Sequence, residues 1–485
     1  MVDARESAQL ETDVLIMGAG LAGYSAALAA AEEGAEVIIV EKTDAPGGST
    51  VMSGGSMAFA GTDMQRNAGI DDSAERLRAD LLKVGFERND LDLVDLYVSR
   101  QLKTYEWMKS IGVEFVAVSL SGGQSAPRSH TPIVQDMIDL MDQRATDDSN
   151  ITVIRNAPAV RLLTDQSVGC HPVSPRVCGA VVAHEGKERP VTARKGTILA
   201  TGGFLHNKTL MRAFSPTAEL VTAINAESHE GDGLKFGLSV GSGLADMGTV
   251  VSATFGVVEG DGRPIFLHAM YQGAIIVDST GSRFIDESQS YRTLGKECLA
   301  TGRTVTFQIF DSRIFAQSIP GKLNNDFEAG LAGGYAVKAE SLEELAEAIG
   351  VDPDALLTTV NRYNDGVHRN EDSDFGRTSQ GGGAGELVKI EEGPFYAIRS
   401  LVGSAGTMGG LTVDESMRVR DVYGEPIDGL FAAGEVIGGL HGGGYMSGTA
   451  LGKAAIFGRV AGQTSASLSR SDLGERANAS PVAGS

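Results

Sequence analysis

Apolar and polar positions near the start of the chain alternate in blocks. Residues 14–31 carry no charge, but three glycines interrupt this run, and acidic residues separate it from a second apolar run at 37–40. A short apolar run, a glycine turn and an alanine-rich segment are typical of a strand followed by a helix. The pattern therefore predicts a strand at 14–17, a helix at 21–32 and a strand at 37–40, a βαβ unit instead of a membrane span.

Similar patterns continue to about residue 248 and return near the carboxyl terminus. They predict amphipathic helices at 72–83, 91–111 and 133–144, and strands at 151–154, 177–182 and 197–200. The part between has fewer βαβ signals, with a charged helix predicted at 341–349. We therefore expect one domain from residues 1–248 and 407–463, an inserted domain from residues 249–406, and a flexible tail from residues 464–485.

The first turn has the form Gly-x-Gly-x-x-Gly, with Gly18, Gly20 and Gly23. Such glycines permit a tight turn, close approach of backbone N–H groups to a pyrophosphate, and close helix-to-strand packing. Glu41 ends the βαβ unit, where a carboxylate accepts hydrogen bonds from ribose hydroxyls. The predicted fold class is therefore α/β: a three-layer Rossmann-type domain with a parallel sheet, interrupted by an inserted α+β domain.

Composition excludes several classes of function. Glycine supplies 63 of 485 residues without a low-complexity repeat, which indicates many tight backbone approaches. The formal charge of −22 argues against nucleic-acid partners and against an anionic membrane surface. The amino-terminal segment resembles no secretory signal, and Cys170, Cys178 and Cys298 form no disulfide, haem or iron–sulfur pattern. We expect a cytoplasmic protein without a metal centre.

Two later segments favour FAD over NAD as the dinucleotide. Residues 429–435 predict a strand that delivers Gly434 and Glu435 to the cofactor side, and residues 448–452 open a helix of small residues. A helix N-terminus against the flavin stabilises the negative charge that reduction places on the ring.

The motifs GAGLAG, EK, GGST, ATGGF, GDG, TMGG and AAGE, taken together, resemble the flavoprotein superfamily of fumarate reductases and 3-ketosteroid dehydrogenases over roughly residues 12–462. The resemblance implies an FAD-binding domain interrupted by a capping domain. Succinate dehydrogenases attach FAD through a histidine where this chain has Ala45 and Pro46, so we expect noncovalent FAD. The motif residues expected to contact FAD are Gly18, Ala19, Gly20, Leu21, Ala22, Gly23, Glu41, Lys42, Gly47, Gly48, Ser49, Thr50, Ser53, Gly54, Gly55, Val160, Ala200, Thr201, Gly202, Asp232, Gly434, Glu435, Thr449, Ala450 and Leu451.

The chain departs from the reductases of this superfamily at the substrate site. Soluble fumarate reductases bind and protonate a dicarboxylate with arginines and histidines at four places. Here those places hold Tyr291, Gly406, the segment 251–253 without a histidine, and Tyr445. A dianion desolvated without these cations would cost several kcal/mol per charge, so fumarate is a poor candidate substrate.

The 3-ketosteroid dehydrogenases look similar at both tyrosine positions. The resemblance implies that Tyr291 removes the proton α to a ketone, while Tyr445 O–H and the Gly448 N–H hold the carbonyl oxygen. The α carbon becomes acidic only when such donors stabilise the developing enolate. Arg292 or a second hydroxyl would favour the Tyr291 phenolate, and Ser447 resembles the serine of the branch acting on 5α-3-ketosteroids. In the alternative interpretation, both tyrosines only fill the pocket.

The low aromatic content, 6%, suggests a substrate smaller than a steroid, such as 4-oxocyclohexanecarboxylate. Arg128 or His130 would meet its carboxylate, and His441 would shape the flavin pocket. The predicted activity is that of an FAD-dependent dehydrogenase that introduces a C=C bond beside the carbonyl of a cyclic ketone. The alternatives are a reductase of an activated alkene, similar to fumarate or urocanate reductases, and a flavin-bound sensor. The electron acceptor would be a quinone, another protein or oxygen.

Overall fold

The computed structural model describes residues 10–165, 176–250, 254–258, 265–321, 324–380 and 385–468, and Cys170 lies outside these residues. The strands, in chain order, are β1 (Leu10–Met17), β2 (Val37–Val40), β3 (Met57–Ala58), β4 (Phe115–Ser119), β5 (Ser129–Pro132), β6 (Ile151–Ile154), β7 (Ala159–Asp165), β8 (Arg176–His184), β9 (Lys187–Leu199), β10 (Thr222–Ala223), β11 (Leu244–Ala245), β12 (Thr254–Val258), β13 (Ile265–Phe266), β14 (Ile275–Val277), β15 (Val305–Asp311), β16 (Ala336–Ala339), β17 (Phe395–Ser404), β18 (Gly410–Leu411), β19 (Arg418–Arg420) and β20 (Pro426–Ala432). The helices are α1 (Leu21–Glu32), α2 (Ser49–Met52), α3 (Asp63–Asn67), α4 (Ala74–Val84), α5 (Leu91–Ser110), α6 (Val134–Asp147), α7 (Lys208–Phe214), α8 (Asp232–Ser239), α9 (Tyr291–Ala300), α10 (Ser312–Phe315), α11 (Phe327–Ala332), α12 (Leu342–Ile349), α13 (Pro353–Arg369) and α14 (Thr449–Ser467).

The chain forms two compact units. The first contains the described residues of Met1–Ser215, Asn225–Val251 and Gly406–Ser485, and the second those of Pro216–Ile224 and Ser252–Ala405. Helix α14 continues four residues into the expected tail, and residues 469–485 lie outside the described part. Among the described residues, no helix combines the length and apolar character that a bilayer crossing requires.

The first unit is built around a mainly parallel sheet. Its strand order is β19-β20-β9-β1-β2-β6, and β8 and β7 extend it from β9. The pairs β1–β2, β1–β9, β2–β6 and β20–β9 are parallel. Val14, Leu15 and Ile16 in β1 are fully buried, as expected for a parallel strand covered on both faces. The predicted α/β class with a parallel sheet is confirmed.

Helix α1 lies against α14 with very close backbone contact. A Cβ atom on Gly458 would lie 2.4 Å from the Ala22 carbonyl oxygen, and one on Gly462 would lie 2.1 Å from the Ala26 carbonyl oxygen. Only glycine permits this approach, because any side chain would overlap the facing backbone. The packing holds the N-termini of both helices in one unit.

The second unit contains a mainly antiparallel sheet, in the order β13-β12-β17-β15-β14, with β10 and β16 also paired to β17. Apolar side chains from β14, α12 and α13 form one core, including Ile275, Leu345 and Val360. Before α9, the buried Arg283 guanidinium pairs with Glu287 at 2.7 Å and with Asp372 at 2.9 Å. Arg283 and Glu287 therefore stabilise the fold just before α9.

Candidate functional site

Four parallel strands of the first unit end at one edge of the sheet. In the register of the sheet, Met17 of β1 lies beside Val40 of β2 and Leu199 of β9, and Leu199 lies beside Ala432 of β20. The segments that follow these strands are the glycine turn, the Glu41 region, the ATGG motif and the AAGE motif. Because ligands of such sheets bind outside the carboxyl ends of the strands, this edge is the candidate cofactor site.

The glycine turn has the backbone contacts that the motif predicts. Gly18 has a φ of 110°, and a Cβ there would lie 2.4 Å from the Ala200 carbonyl oxygen. A Cβ on Gly23 would lie 1.9 Å from the Gly18 carbonyl oxygen. Glu41 Oε2 accepts a hydrogen bond of 2.8 Å from the Ala19 N–H, which ties the acid to the turn.

Four helices that begin at candidate cofactor segments share one feature. Their N-cap residues are glycines without a side-chain capping hydrogen bond: Gly20, Gly48, Gly231 and Gly448, for α1, α2, α8 and α14. By contrast, α3, α4, α5 and α7 of the same unit are capped by a side chain. A glycine cap has no side chain that competes with an anion for the N–H groups of the first turn, so a pyrophosphate or a reduced flavin can approach the helix there.

The segment after Glu41 offers room for a ligand. A Cβ on Gly48 or Gly54 would meet nothing within 4 Å, whereas the positions of Gly47 and Gly55 are explained by packing against Val51 and Val134. Open space beside uncapped helix termini is the environment that a dinucleotide fits.

Other expected contacts surround this space in the first unit. Lys42 Nζ lies 2.8 Å from Asp232 at the start of α8. Thr50 Oγ1 accepts a 3.3 Å hydrogen bond from the Leu21 N–H, and Ser53 Oγ donates to the Thr50 carbonyl at 2.7 Å. Ala22 lies in the first turn of α1, and Thr449, Ala450 and Leu451 form the first turn of α14.

Thr201 and Val160, also expected to contact FAD, differ in their exposure. The Thr201 hydroxyl is buried and has no partner among the described residues, as expected for a group that awaits a ligand. Val160 lies in β7 with its side chain 43% exposed. Its role stays a prediction.

Sequence reasoning missed His229, which lies against several cofactor-site residues. The imidazole fills the space beside Gly202, where a Cβ would lie 2.4 Å from the ring, and its Nε2 atom is 3.1 Å from Ser49 Oγ. His229 Nδ1 lies 3.3 Å from Glu435 Oε2. Burial alone would raise the pKa of Glu435, but His229 and the Thr407 N–H hold it below its ordinary value. The only sequence signal is its place just before the GDG motif.

The loop before α14 carries Tyr445. The Tyr445 ring is half-buried and lies edge-on to His441, with centroids 5.5 Å apart. Burial holds the pKa of His441 well below its ordinary value, so this neighbour is neutral. The Ser447 N–H donates to the Gly122 carbonyl at 2.9 Å, and the Gly448 carbonyl accepts from the Ala58 N–H at 3.0 Å. These bonds hold the loop and the start of α14 against β3 and the segment that follows β4.

Tyr291 and Arg292 begin α9 in the second unit. Ser290 caps this helix through its side chain, and the Tyr291 N–H donates to the Tyr271 hydroxyl at 3.1 Å. The Arg292 guanidinium carbon lies 5.6 Å from the Tyr291 ring centroid. The expected cation is therefore a neighbour of the expected base.

Arg128 and His130 do not have the substrate-binding roles expected for them. Arg128 is fully buried, and its guanidinium pairs with Asp72 at 2.7 Å and with Asp80 at 2.6 Å. His130 is also fully buried, with Nε2 2.7 Å from Thr62 Oγ1 and Nδ1 2.8 Å from the Arg128 carbonyl. Because their polar atoms are committed to internal partners, a substrate carboxylate would have to break a buried ion pair.

Comparisons with known proteins identify an FAD-binding family. The family model for the FAD binding domain matches residues 13–451. The NADH:fumarate oxidoreductase of Klebsiella pneumoniae (strain 342) is 32% identical over 470 residues, 96% of this chain, but the chain spans only 48% of that protein's length.

Two solved structures have the same fold. A flavocytochrome c3 fumarate reductase in its open conformation superposes with a TM-score of 0.83 and 30% identity, covering 96% of this chain and 79% of that one. The 3-ketosteroid-Δ4-(5α)-dehydrogenase of Rhodococcus jostii RHA1 has a TM-score of 0.72 and 26% identity, covering 96% and 99%. The chain therefore belongs to the FAD-binding superfamily of flavoprotein oxidoreductases that includes the fumarate reductases and the 3-ketosteroid dehydrogenases.

Proposed function

We propose that the protein is an FAD-dependent dehydrogenase that introduces a C=C bond beside the carbonyl of a cyclic ketone. The substrate is a 3-ketosteroid or a smaller ring such as 4-oxocyclohexanecarboxylate, and FAD is bound noncovalently. The observation that carries the proposal is the neutral, half-buried Tyr445 loop that leads into the uncapped N-terminus of α14.

This loop has the donors that a ketone oxygen requires. The Tyr445 hydroxyl and the Gly448 N–H are both hydrogen-bond donors, and neutral His441 beside Tyr445 adds no charge. Removing one such donor from an enzyme lowers the rate about 10²–10³-fold, since it stabilises charge that develops only in the transition state. Ser447, between these donors in sequence, supports their placement through its backbone bonds.

In this proposal, Tyr291 removes the proton from the carbon next to the carbonyl. Its backbone N–H donates to the Tyr271 hydroxyl, and the Arg292 guanidinium lies beside its ring. Bound FAD supplies the hydride acceptor for the carbon next to the one that loses its proton. Electrons then leave to a quinone, another protein or oxygen.

The charge of the candidate residues argues against a dicarboxylate substrate. Tyrosine and glycine stand at three positions where the fumarate reductases hold cations, and Arg128 is already neutralised by Asp72 and Asp80. A single carboxylate on the ring would therefore remain in solvent or meet Arg292.

A second candidate is a reductase of an activated alkene. It is favoured by the names of the relatives, since both the Klebsiella relative and the flavocytochrome c3 structure are described as fumarate-reducing proteins. The two activities use the same groups in opposite directions, and the direction depends on the potentials of flavin and substrate.

An anaerobic flavin assay distinguishes these functions. Purified oxidised protein is mixed with cyclohexanone, 4-oxocyclohexanecarboxylate, a 3-ketosteroid or succinate, and flavin absorbance is followed. Bleaching by a ketone supports the dehydrogenase. If no ketone bleaches the flavin, and 2-cyclohexenone, fumarate or urocanate reoxidises dithionite-reduced protein, the reductase is correct. A flavin that responds to none of these compounds would overturn both proposals and leave a sensor.

A further inference from the structure

The strand β12 of the second unit contains a bulge at Gly256. Phe255 pairs with Val402 and Val257 with the adjacent Leu401, so Gly256 is an extra residue in the pairing of β12 with β17. Its φ is 82°, and a Cβ there would lie 2.3 Å from the His268 ring. The bulge and the glycine therefore make room for one imidazole.

His268 is held in a single protonation state. The side chain is 4% exposed, and Nε2 lies 2.8 Å from the Phe255 carbonyl oxygen. Because a carbonyl only accepts, Nε2 carries the proton and Nδ1 is left with its lone pair. Burial lowers the pKa of His268 to about 4, so the ring stays neutral at physiological pH.

The neutral imidazole lies parallel to the ring of Tyr291. The two centroids are 5.5 Å apart and the planes differ by 12°. Tyr271 lies edge-on to His268, also at 5.5 Å, and its hydroxyl accepts the Tyr291 N–H. Both the backbone and the ring of Tyr291 are thus held by one small aromatic cluster, consisting of His268 and Tyr271.

We propose that His268 is the positioning residue for Tyr291: fixed by the Phe255 carbonyl and accommodated by Gly256, it holds the phenol in the orientation that proton transfer requires. This inference rests on the proposed role of Tyr291 as the base. His268 contributes through the face of its ring and does not itself take the proton. Misplacing a reacting group by about 1 Å costs on the order of 10²-fold in rate, so a stacking partner is sufficient to matter.

A double-mutant cycle on the FAD-loaded protein tests the proposal. The variants are His268→Ala, His268→Phe, Tyr291→Phe and His268→Ala/Tyr291→Phe, with the exposed His368→Ala as control. The measured rates are flavin bleaching by 4-oxocyclohexanecarboxylate and reoxidation of reduced flavin by 2-cyclohexenone. We expect His268→Ala to slow the reaction about 10–100-fold, and His268→Phe, which keeps a stacking ring, to restore most of the rate. In the Tyr291→Phe background, His268→Ala should cause no further loss.

A second measurement, by ¹⁹F NMR, reports on Tyr291 without any substrate. In protein labelled with 3-fluorotyrosine, the ¹⁹F resonance of Tyr291 is assigned by its absence in Tyr291→Phe. The chemical shift of this resonance should change in His268→Ala and should stay close to the wild-type value in His268→Phe and His368→Ala. Additive rate losses in the double variant, or an unmoved Tyr291 resonance in His268→Ala, would overturn the positioning role while the proposed function stands. Near-normal rates in Tyr291→Phe would instead remove Tyr291 from the chemistry, and the positioning role with it.

Discussion

The Nδ1 atom of His229 lies 3.3 Å from Oε2 of Glu435, and this contact joins two segments of the first unit that are about 200 residues apart in sequence. Glu435 follows β20, and His229 precedes α8. Glu435 also accepts the Thr407 N–H at 2.8 Å. The carboxylate thus connects the ends of three segments that surround the candidate FAD site.

Replacement of Glu435 by glutamine should lower the free energy of unfolding by about 1–3 kcal/mol at neutral pH, the usual cost of losing a charged hydrogen-bond partner. The pKa of Glu435 is lowered in the folded state, so its stabilisation is present above the unfolded-state value and is lost as the pH falls through the folded one. Urea unfolding of the FAD-saturated protein at several pH values checks this. The difference from wild type should shrink on acidification, and the exposed Glu347→Gln should show no such effect.

Two glycines of the first turn, Gly20 and Gly23, should respond differently to substitution by alanine, one in FAD binding and the other in folding. Gly23→Ala should prevent correct folding, since its Cβ would lie 1.9 Å from the Gly18 carbonyl oxygen. Gly20→Ala should give a stable apoprotein, because its nearest neighbour would be 3.8 Å away. Its methyl group would nevertheless obstruct the approach of the pyrophosphate and weaken FAD binding by about tenfold or more, equal to about 1.4 kcal/mol. Circular dichroism of Gly23→Ala and FAD titration of the Gly20→Ala apoprotein check these expectations, and wild-type affinity in Gly20→Ala would contradict the assignment.

Tyr291→Phe and Tyr445→Phe should each keep FAD and the fold but slow flavin bleaching by a ketone. The expected losses are about 10²–10⁴-fold for the base and about 10²–10³-fold for the oxyanion donor. Stopped-flow absorbance measures both. Tyr423→Phe is the matched control, since Tyr423 is 87% exposed. Unchanged bleaching in either active-site variant would exclude that tyrosine from the reaction.

Arg128→Lys should destabilise the protein without changing substrate preference. Lysine keeps the charge but cannot reach Asp72 and Asp80 together as the buried guanidinium does, and weakening such a network costs up to about 3–5 kcal/mol. The measurements are urea unfolding and the ratio of kcat/KM for 4-oxocyclohexanecarboxylate to that for cyclohexanone. A stable variant with a strongly reduced ratio would restore Arg128 as a carboxylate ligand.

Lys453 should make stability rise between about pH 8 and 10. Its ammonium is buried in α14, 3.0 Å from the Ile437 carbonyl oxygen, and burial lowers the pKa of Lys453 to about 8. Within that pH range the unfolded chain binds a proton that the folded protein has released, so raising the pH favours the fold by up to about 3 kcal/mol. Lys453→Met should flatten this part of the stability profile, while Met at the exposed Lys103 should not. Equal slopes in wild type and Lys453→Met would contradict the prediction.

The hydrophobic pattern predicts the elements of the βαβ unit closely. Helix α1 and strand β2 begin and end where it places them, because their periodicity and the glycine turn are local properties. Strand β9 is longer than predicted, 13 residues against the four at 197–200. Its first half begins with charged residues and becomes a strand by pairing with β8 and, from Val191 on, with β1, so the local sequence gives no clear apolar signal.

In the candidate cofactor site, too, a local motif reveals some residues, and only the tertiary structure reveals others. Gly18, Gly20 and Gly23 are recognisable from their spacing, because all three lie within one short motif of the sequence. His229 could not be found in this way, since its partners Ser49, Gly202 and Glu435 lie far from it in sequence.

The sequence by itself determined the class of cofactor, because this depends on which residues stand in short motifs, and on the same basis it predicts the loss of the dicarboxylate clamp. Only the tertiary structure decided the surroundings of Arg128, which pairs with Asp72 and Asp80, and of His268, which lies in the space left by a bulge at Gly256. Periodicity and turn chemistry are encoded by neighbouring residues, whereas the partner of a buried polar side chain is set by which distant segments fold against it.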